Sequence, residues 1–325
     1  MSDTTHRAVR SRRKSAGQPR VRRWRRYPAA TFYLFASPWI FGFVALTAVP
    51  LAAAFLMSLT NFDGVSSIWR YVGLDNYVEL FTDYPAALHS LGRTLLYTVI
   101  VVPLSAAGGL GLAILVNRRM RAVGLVRAIF FLPSVVPVVA TAIMWRLVFN
   151  RDAGLLNGLL SLANLPSIGW LIDPYAFYAL LMVSLWGVGG GMVISLAALQ
   201  DVPVELMEAA RLDGANSWQV VRNVTIPMIS PVLYFQVVTG VIASLQVLVE
   251  PMLLAQTSTI ATASNVPPST HVYMVQVYQE YFTNGRFGFG SAMLWVFFVV
   301  ILLFTLVLQR SSRRWVHYQV STDQD

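Results

Sequence analysis

Six stretches of this chain, residues 31–58, 93–116, 125–149, 175–199, 230–255 and 289–308, are apolar over close to the length, about 20 residues, that a helix needs to cross a bilayer. Inside lipid only helices and closed barrels satisfy their own backbone polar groups, and runs this long suit helices. Composition agrees: 56% of residues are apolar and 12% charged, against roughly 25% charged in an ordinary soluble domain. The expectation is an all-α, polytopic membrane protein with six transmembrane helices. An even number of crossings leaves both termini on one side.

Charge sets the orientation. Ten of the 24 basic residues precede Tyr27, in a run that is solvated on its own and acts before a span as a retention signal for the cytoplasmic side. With the N-terminus inside, segments 1–30, 117–127, 201–229 and 309–325 hold 19 basic residues, and the opposite side keeps five, Arg70, Arg93, Arg146, Arg151 and Arg286. The first outer loop carries Asp63, Asp75, Glu79 and Asp83 instead. Nucleic-acid binding is disfavoured, since the basic tail lacks the interleaved aromatics of a folded patch. Cysteine is absent, and His6, His89, His271 and His317 show no metal-ligand spacing, so no metal site is expected. The twin arginines and Ala52-Ala53-Ala54 imitate a processed leader, but the apolar stretch from Ala29 to Leu59 exceeds a signal core and favours an uncleaved anchor.

Several spans contain helix-disturbing residues: Pro38, Pro50, Pro103, Gly108-Gly109, Pro133, Pro137, Gly187 and Gly189-Gly190-Gly191. Either they pack helices closely or they line a flexible, water-accessible path; both place these faces inside a bundle. The fifth span is the most polar. Gln236, Thr239, Gln246 and Glu250 fall on one stripe of a continuous helix and form a candidate solute path. A carboxylate there costs on the order of 3 kcal/mol to insert, so Glu250 either faces a cavity or reaches the interface beside Pro251.

Between the fourth and fifth spans lies a charged connector, Glu208–Pro227. Pro203 suits a first helical position, VELMEAARLD is built from good helix formers, and Gly214 supplies a stop. Asn216 or Ser217 can cap a second helical stretch through Arg222, and Pro227 and Pro231 predict a break before or at the start of the fifth span. Physics alone leaves two readings for the first helix: a protein dock, or an amphipathic helix lying on lipid.

The spacing Glu208-Ala209-Ala210, Gly214, Val224-Thr225-Ile226-Pro227 resembles the EAA loop of bacterial binding-protein-dependent ABC importer permeases. VGLDNYVELF (72–81), RAIFFLPSVVPVVATAIMWRLVFNRDAGLLN (127–157) and RFGFGSAMLW (286–295) are similar to its carbohydrate-uptake branch, the maltose and glycerol-3-phosphate type. The resemblance runs from about Thr31 to Gln309 and departs after the fifth span, where LLAQTSTIATASNVPPST replaces a Thr-Gly-Gly-Pro-like stretch. It implies a basic cytoplasmic tail (1–30), a permease domain (31–309) whose EAA loop is 201–229, and a cytoplasmic C-terminal tail (310–325). It further implies a second, similar permease, two cytoplasmic ATPase subunits and an extracytoplasmic solute-binding protein received by outer loops 60–92 and 256–288. Glu208, Ala209, Ala210, Asp213 and Gly214 would dock the ATPase. The location implied is the bacterial inner membrane, and the cargo a sugar or related polyol.

No cofactor is expected on this chain, because a phosphate-binding P-loop needs GxxxxGK[ST] and the only lysine is Lys14, in SRRKS. ATP would be used by the partner subunit, and no catalytic constellation marks an enzyme. The alternative is a secondary carrier driven by an ion gradient, for which the only internal echo is FLPSVVP (131–137) in TIPMISP (225–231).

Overall fold

A computed structural model describes residues 29–67, 69–118, 121–255 and 263–316. Most of the basic N-terminal tail, residues 256–262 of the loop after the fifth span and residues 317–325 of the C-terminal tail lie outside the described residues. Among the described residues no strand forms; Thr60 and Tyr71 make one isolated antiparallel bridge.

Two units are distinguished, residues 1–52 and 53–325. The first holds α1 (Ala29–Phe43), a π-turn at Val44–Ala48 and the start of α2 (Val49–Ser58). Pro38 and Pro50 leave the helix running from Thr31 to Ser58. Proline deprives the carbonyl four residues earlier of its donor, and the Ser37 hydroxyl serves that carbonyl by donating to Leu34 O at 2.8 Å. Before Pro50 the register widens instead, with the Val49 N–H bonded to Val44 O.

The second unit continues with α3 (Asp75–Thr82), α4 (Pro85–Val116), α5 (Val123–Val135), α6 (Val138–Val148), α7 (Leu155–Leu162), α8 (Ala176–Trp186), α9 (Gly189–Gln200) and α10 (Val204–Leu212). After these come α11 (Ser217–Val220), α12 (Ile226–Leu245), α13 (Val249–Leu254), α14 (Tyr273–Tyr278) and α15 (Phe287–Ser312). Among the described residues four helical segments are long and apolar enough to cross a membrane, and the number reaches six if the bent pairs α5/α6 and α8/α9 each count as one span. The first pair bends by 102°. Val136 precedes Pro137, and the proline ring drives it into extended backbone (φ −70°, ψ 131°). The second pair bends by 41° at Gly187-Val188.

The fifth span differs from expectation at both ends. Pro227 and Pro231 do not break it; Ser217–Leu245 is a single 29-residue segment. A π-turn at Val221–Thr225 precedes Pro227, and the Ser230 hydroxyl donates to Pro227 O at 2.7 Å, the carbonyl that Pro231 cannot serve. At the far end the helix stops at Leu245. Pro251 lies in the first turn of α13, where its missing N–H leaves no bond unmade, so the chain starts a new helix there.

α4 is the central helix, packed against α8, α9, α12 and α14. Gly109 brings its backbone onto α9, since an added Cβ would lie 3.0 Å from the Gly191 carbonyl carbon. Polar ties cross the apolar interior in pairs. Tyr97 and Ser184 share a hydrogen bond of 2.7 Å between α4 and α8, and Ser244 of α12 donates to Thr98 Oγ1 at 3.1 Å. Each hydroxyl thus has a partner where an unpaired one costs several kcal/mol.

Candidate functional site

The connector between α9 and α12 is built by local signals. Pro203 stands at the N-cap of α10, and Gly214 ends the helix at φ +87°. Gly214 N–H bonds to Arg211 O and Ala215 N–H to Ala210 O, both at 3.0 Å, a Schellman closure that requires the left-handed residue. No atom lies within 4 Å of a Cβ added at Gly214, so glycine is needed there for its φ rather than for room. Asn216 then caps α11: its side chain accepts from Gln219 N–H at 2.9 Å while Gln219 Oε1 accepts from Asn216 N–H at 2.7 Å, a reciprocal capping box.

α10 has two faces. Glu205, Glu208, Ala209 and Leu212 are exposed, Leu212 to 89%, and recur at helical spacing. Met207 and Ala210, three apart on the other side, are half-buried, and Met207 packs against the apolar cluster at that end of the bundle. Of the expected docking residues, Glu208, Ala209, Asp213 and Gly214 lie at the surface, whereas Ala210 turns inward. Trp218 on α11 adds a side chain 66% exposed. An exposed apolar-acidic ridge on a short helix closed by the Gly214 turn, on the side opposite the cluster that Met207 packs on, is suited to a protein groove.

A second feature lies between α4, the α8/α9 bend and α12: a cavity of about 360 Å3. Its walls are mainly aliphatic and glycine, with four polar side chains, Ser105, Ser184, Gln236 and Thr239. Gln236 donates to Ser195 Oγ at 3.0 Å, which fixes its amide, while the Thr239 hydroxyl is turned back on Phe235 O at 2.8 Å. The four-residue stripe read from the sequence therefore divides. Gln236 and Thr239 line the cavity; Gln246 caps the end of α12, exposed and bonded to Ile242 O at 3.0 Å; Glu250 opens α13, which packs on α6. Sequence reading missed Ser105, Ser184 and Ser195, small polar residues inside apolar runs, whose placement in the spans is the signal that could have found them.

The opposite end of the bundle carries a polar cluster that spacing could not reveal. Glu280 is fully buried, and its Oε1 accepts from Tyr84 at 2.5 Å and Asn284 at 2.8 Å. Arg286 approaches its Oε2 at 3.6 Å, grips both oxygens of Glu79 at 2.6 and 2.7 Å, and lies 4.0 Å over the Phe289 ring. Burial, reinforced by the bond to Glu280, holds the Tyr84 hydroxyl well above the usual tyrosine range. Asn76 donates to Ser58 O and Thr60 O, so α3 is tied down on two sides. In the loop before it, Asp63 accepts from Ser66 Oγ, Ser66 N–H and Val65 N–H, bonds that lower its carboxyl to about 2. No group of acidic or histidine side chains suited to a metal occurs among the described residues.

Comparison with known proteins places this architecture. The chain is 34% identical over 291 residues to the probable ABC transporter permease protein YesP of Bacillus subtilis (strain 168), covering 88% of this chain and 92% of that protein. It is 33% identical to the lactose transport system permease protein LacF of Rhizobium radiobacter over 68% of this chain and 75% of LacF. Among solved structures, a chain of a bacterial alginate ABC transporter, in complex with an alginate pentasaccharide-bound periplasmic protein, superposes with a TM-score of 0.77. That match covers 90% of this chain and 96% of the other at 22% identity, so it speaks to fold. Residues 107–317, which include the connector, the cavity-lining parts of α8, α9 and α12, and Glu280, match the family described as binding-protein-dependent transport system inner membrane component. The chain belongs to that family, as a multi-pass membrane permease subunit of an ABC importer and not as an enzyme.

Proposed function

We propose that the chain is one of two different permease subunits of an importer that moves a sugar or related polyol, released by an extracytoplasmic binding protein, at the expense of ATP hydrolysed on two cytoplasmic ATPase subunits. The observation that carries this reading is the two-faced α10, started at Pro203, closed by the Gly214 turn and exposing Glu208, Ala209 and Leu212. Such a helix supports docking in an ATPase groove, with Asp213 and Gly214 fixing its end. The charge bias of the sequence supports a cytoplasmic location for α10 and for both termini, and puts α3 and the 279–287 segment on the side that meets the binding protein. Gln236 and Thr239 are the solute-facing groups of this reading, and the sugar assignment leans on relatives such as the lactose permease.

The test is assembly. The chain is co-expressed with its partner permease and ATPase, purified, and compared with Glu208→Ala and Gly214→Pro variants. The variants should reach the membrane and lose the ATPase, because each alters only the connector. Normal ATPase capture by both would remove the docking assignment, and uptake by the chain alone on a proton or sodium gradient would favour the carrier reading.

A further inference from the structure

The docking face of α10 is only half of a coupling device; something must carry its movement into the spans. Three routes leave the helix. Two are covalent, back through Asp201, Val202 and Pro203 into α9 and on through the Gly214 turn, α11 and the π-turn into α12. The third is a packing contact on the opposite side of α10 from Glu208. Met207 is the one large apolar side chain of α10 that packs against the cluster at this end of the bundle. That cluster joins Ala113 and Val116 at the end of α4, Leu196 and Leu199 of α9, and Ile229 of α12, with Val126 of α5 packed on it. Ala210 is one helical turn along on the same side, and its small side chain lets the helix lie close.

The three helices that meet in this cluster are the ones that wall the cavity further along their lengths. α4 supplies Ser105, α9 supplies Gly191 and α12 supplies Gln236. A displacement of α10 that presses on the cluster reaches all three cavity walls together, whereas the covalent routes deliver it to α9 and α12 and leave α4 out. Close-packed interiors transmit such displacements because they have little free volume to absorb them. Resting on the docking reading above, we infer that Met207 is a positioning residue: the strut through which nucleotide-driven movement of α10 is imposed jointly on α4, α9 and α12. It touches neither ATPase nor solute.

The experiment uses the assembled complex in lipid nanodiscs, with the non-hydrolysable nucleotide AMP-PNP as the probe. Spin labels are placed at Leu104→Cys on α4 and Phe235→Cys on α12, both exposed positions in a chain without native cysteine, with the accompanying subunits made cysteine-free. Met207→Ala should retain the ATPase on purification, while the AMP-PNP-dependent change in label distance weakens, its population shift falling by about 2- to 30-fold. Met207→Leu should behave as wild type, and Met207→Val should fall between; if the alanine variant does not assemble, the valine variant carries the comparison. A full nucleotide response in the trimmed variant would overturn the inference. So would loss of the ATPase by both trimmed variants, which would make Met207 part of the dock. Glu208→Ala and Gly214→Pro are run alongside: should both keep the ATPase, the docking reading beneath the inference fails separately.

Discussion

Gly189, at the start of α9, is where the bent spans come closest, and replacing it with alanine separates packing from flexibility. A Cβ built there would lie 1.8 Å from the Phe130 carbonyl oxygen and 2.6 Å from its carbon, both backbone atoms of α5. Real Cβ atoms stay beyond 3.0 Å of such neighbours, so α5 and α9 must part by roughly 1 Å, a gap that forfeits a quarter to a half of the dispersion energy of each contact across it. No side-chain rotation relieves the overlap. The expected cost is about 3 kcal/mol, the upper end for an overpacked site. Gly111→Ala is the matched control: it lies in α4 with no atom within 4 Å of the added carbon, and it should be neutral or stabilising by about 0.5–1 kcal/mol. The assay is reversible unfolding of the purified complex in mixed micelles, read by tryptophan fluorescence. A Gly189→Ala protein as stable as Gly111→Ala would refute the argument that α5 and α9 meet backbone to backbone.

Arg286→Met should cost about 3 kcal/mol, the low end for breaking a buried pair because Arg286 is itself 36% exposed, and adding Glu280→Gln should recover part of it by removing the stranded charge; a double-mutant cycle on thermal stability measures both. His271, bonded to Gln279 at 3.2 Å, has its pKa lowered by burial. Its neutral form is thus favoured on folding, so the unfolded chain takes up the proton first. Stability is complete above about pH 6.5 and should decline as pH falls toward the lowered folded value, a decline that His271→Gln abolishes in unfolding measured across that range. Gln236→Ala should raise the KM for uptake by about 2- to 10-fold, the loss of one or two neutral hydrogen bonds, while Glu250→Gln, off the cavity, should leave KM unchanged.

What could be read from the sequence was what short-range chemistry decides. Length and apolarity mark the spans, and the connector announces itself through Pro203, Gly214 and Asn216, each acting on atoms within a few residues. The Glu280 cluster is illegible by the same logic, because Tyr84 lies 196 positions away and nothing local separates Glu280 from a solvated glutamate. Helical periodicity extends the polar stripe past Leu245, but the chain turns and restarts there. At the other end of the fifth span Pro227 and Pro231 signal a break by their local chemistry, and the π-turn and the serine that accommodate them leave no such signal.

Those accommodations also divide the helix-disturbing residues by role, which the sequence had left as two readings. Pro38 and Pro231 each follow a serine whose hydroxyl serves the carbonyl the ring deprives, so their helices run on intact. Gly109 and Gly189 are buried against neighbouring backbone, and there the missing side chain is a packing requirement. Gly187 satisfies neither description: the nearest atom to an added Cβ is 4.0 Å away, the helix bends beside it, and it lines the cavity. A bend with open space beside its glycine, placed at the wall of the cavity, is the feature expected where a span must change its angle as solute passes. Gly187→Ala would then leave stability within about 1 kcal/mol of wild type and slow uptake, the reverse of the pattern expected at Gly189.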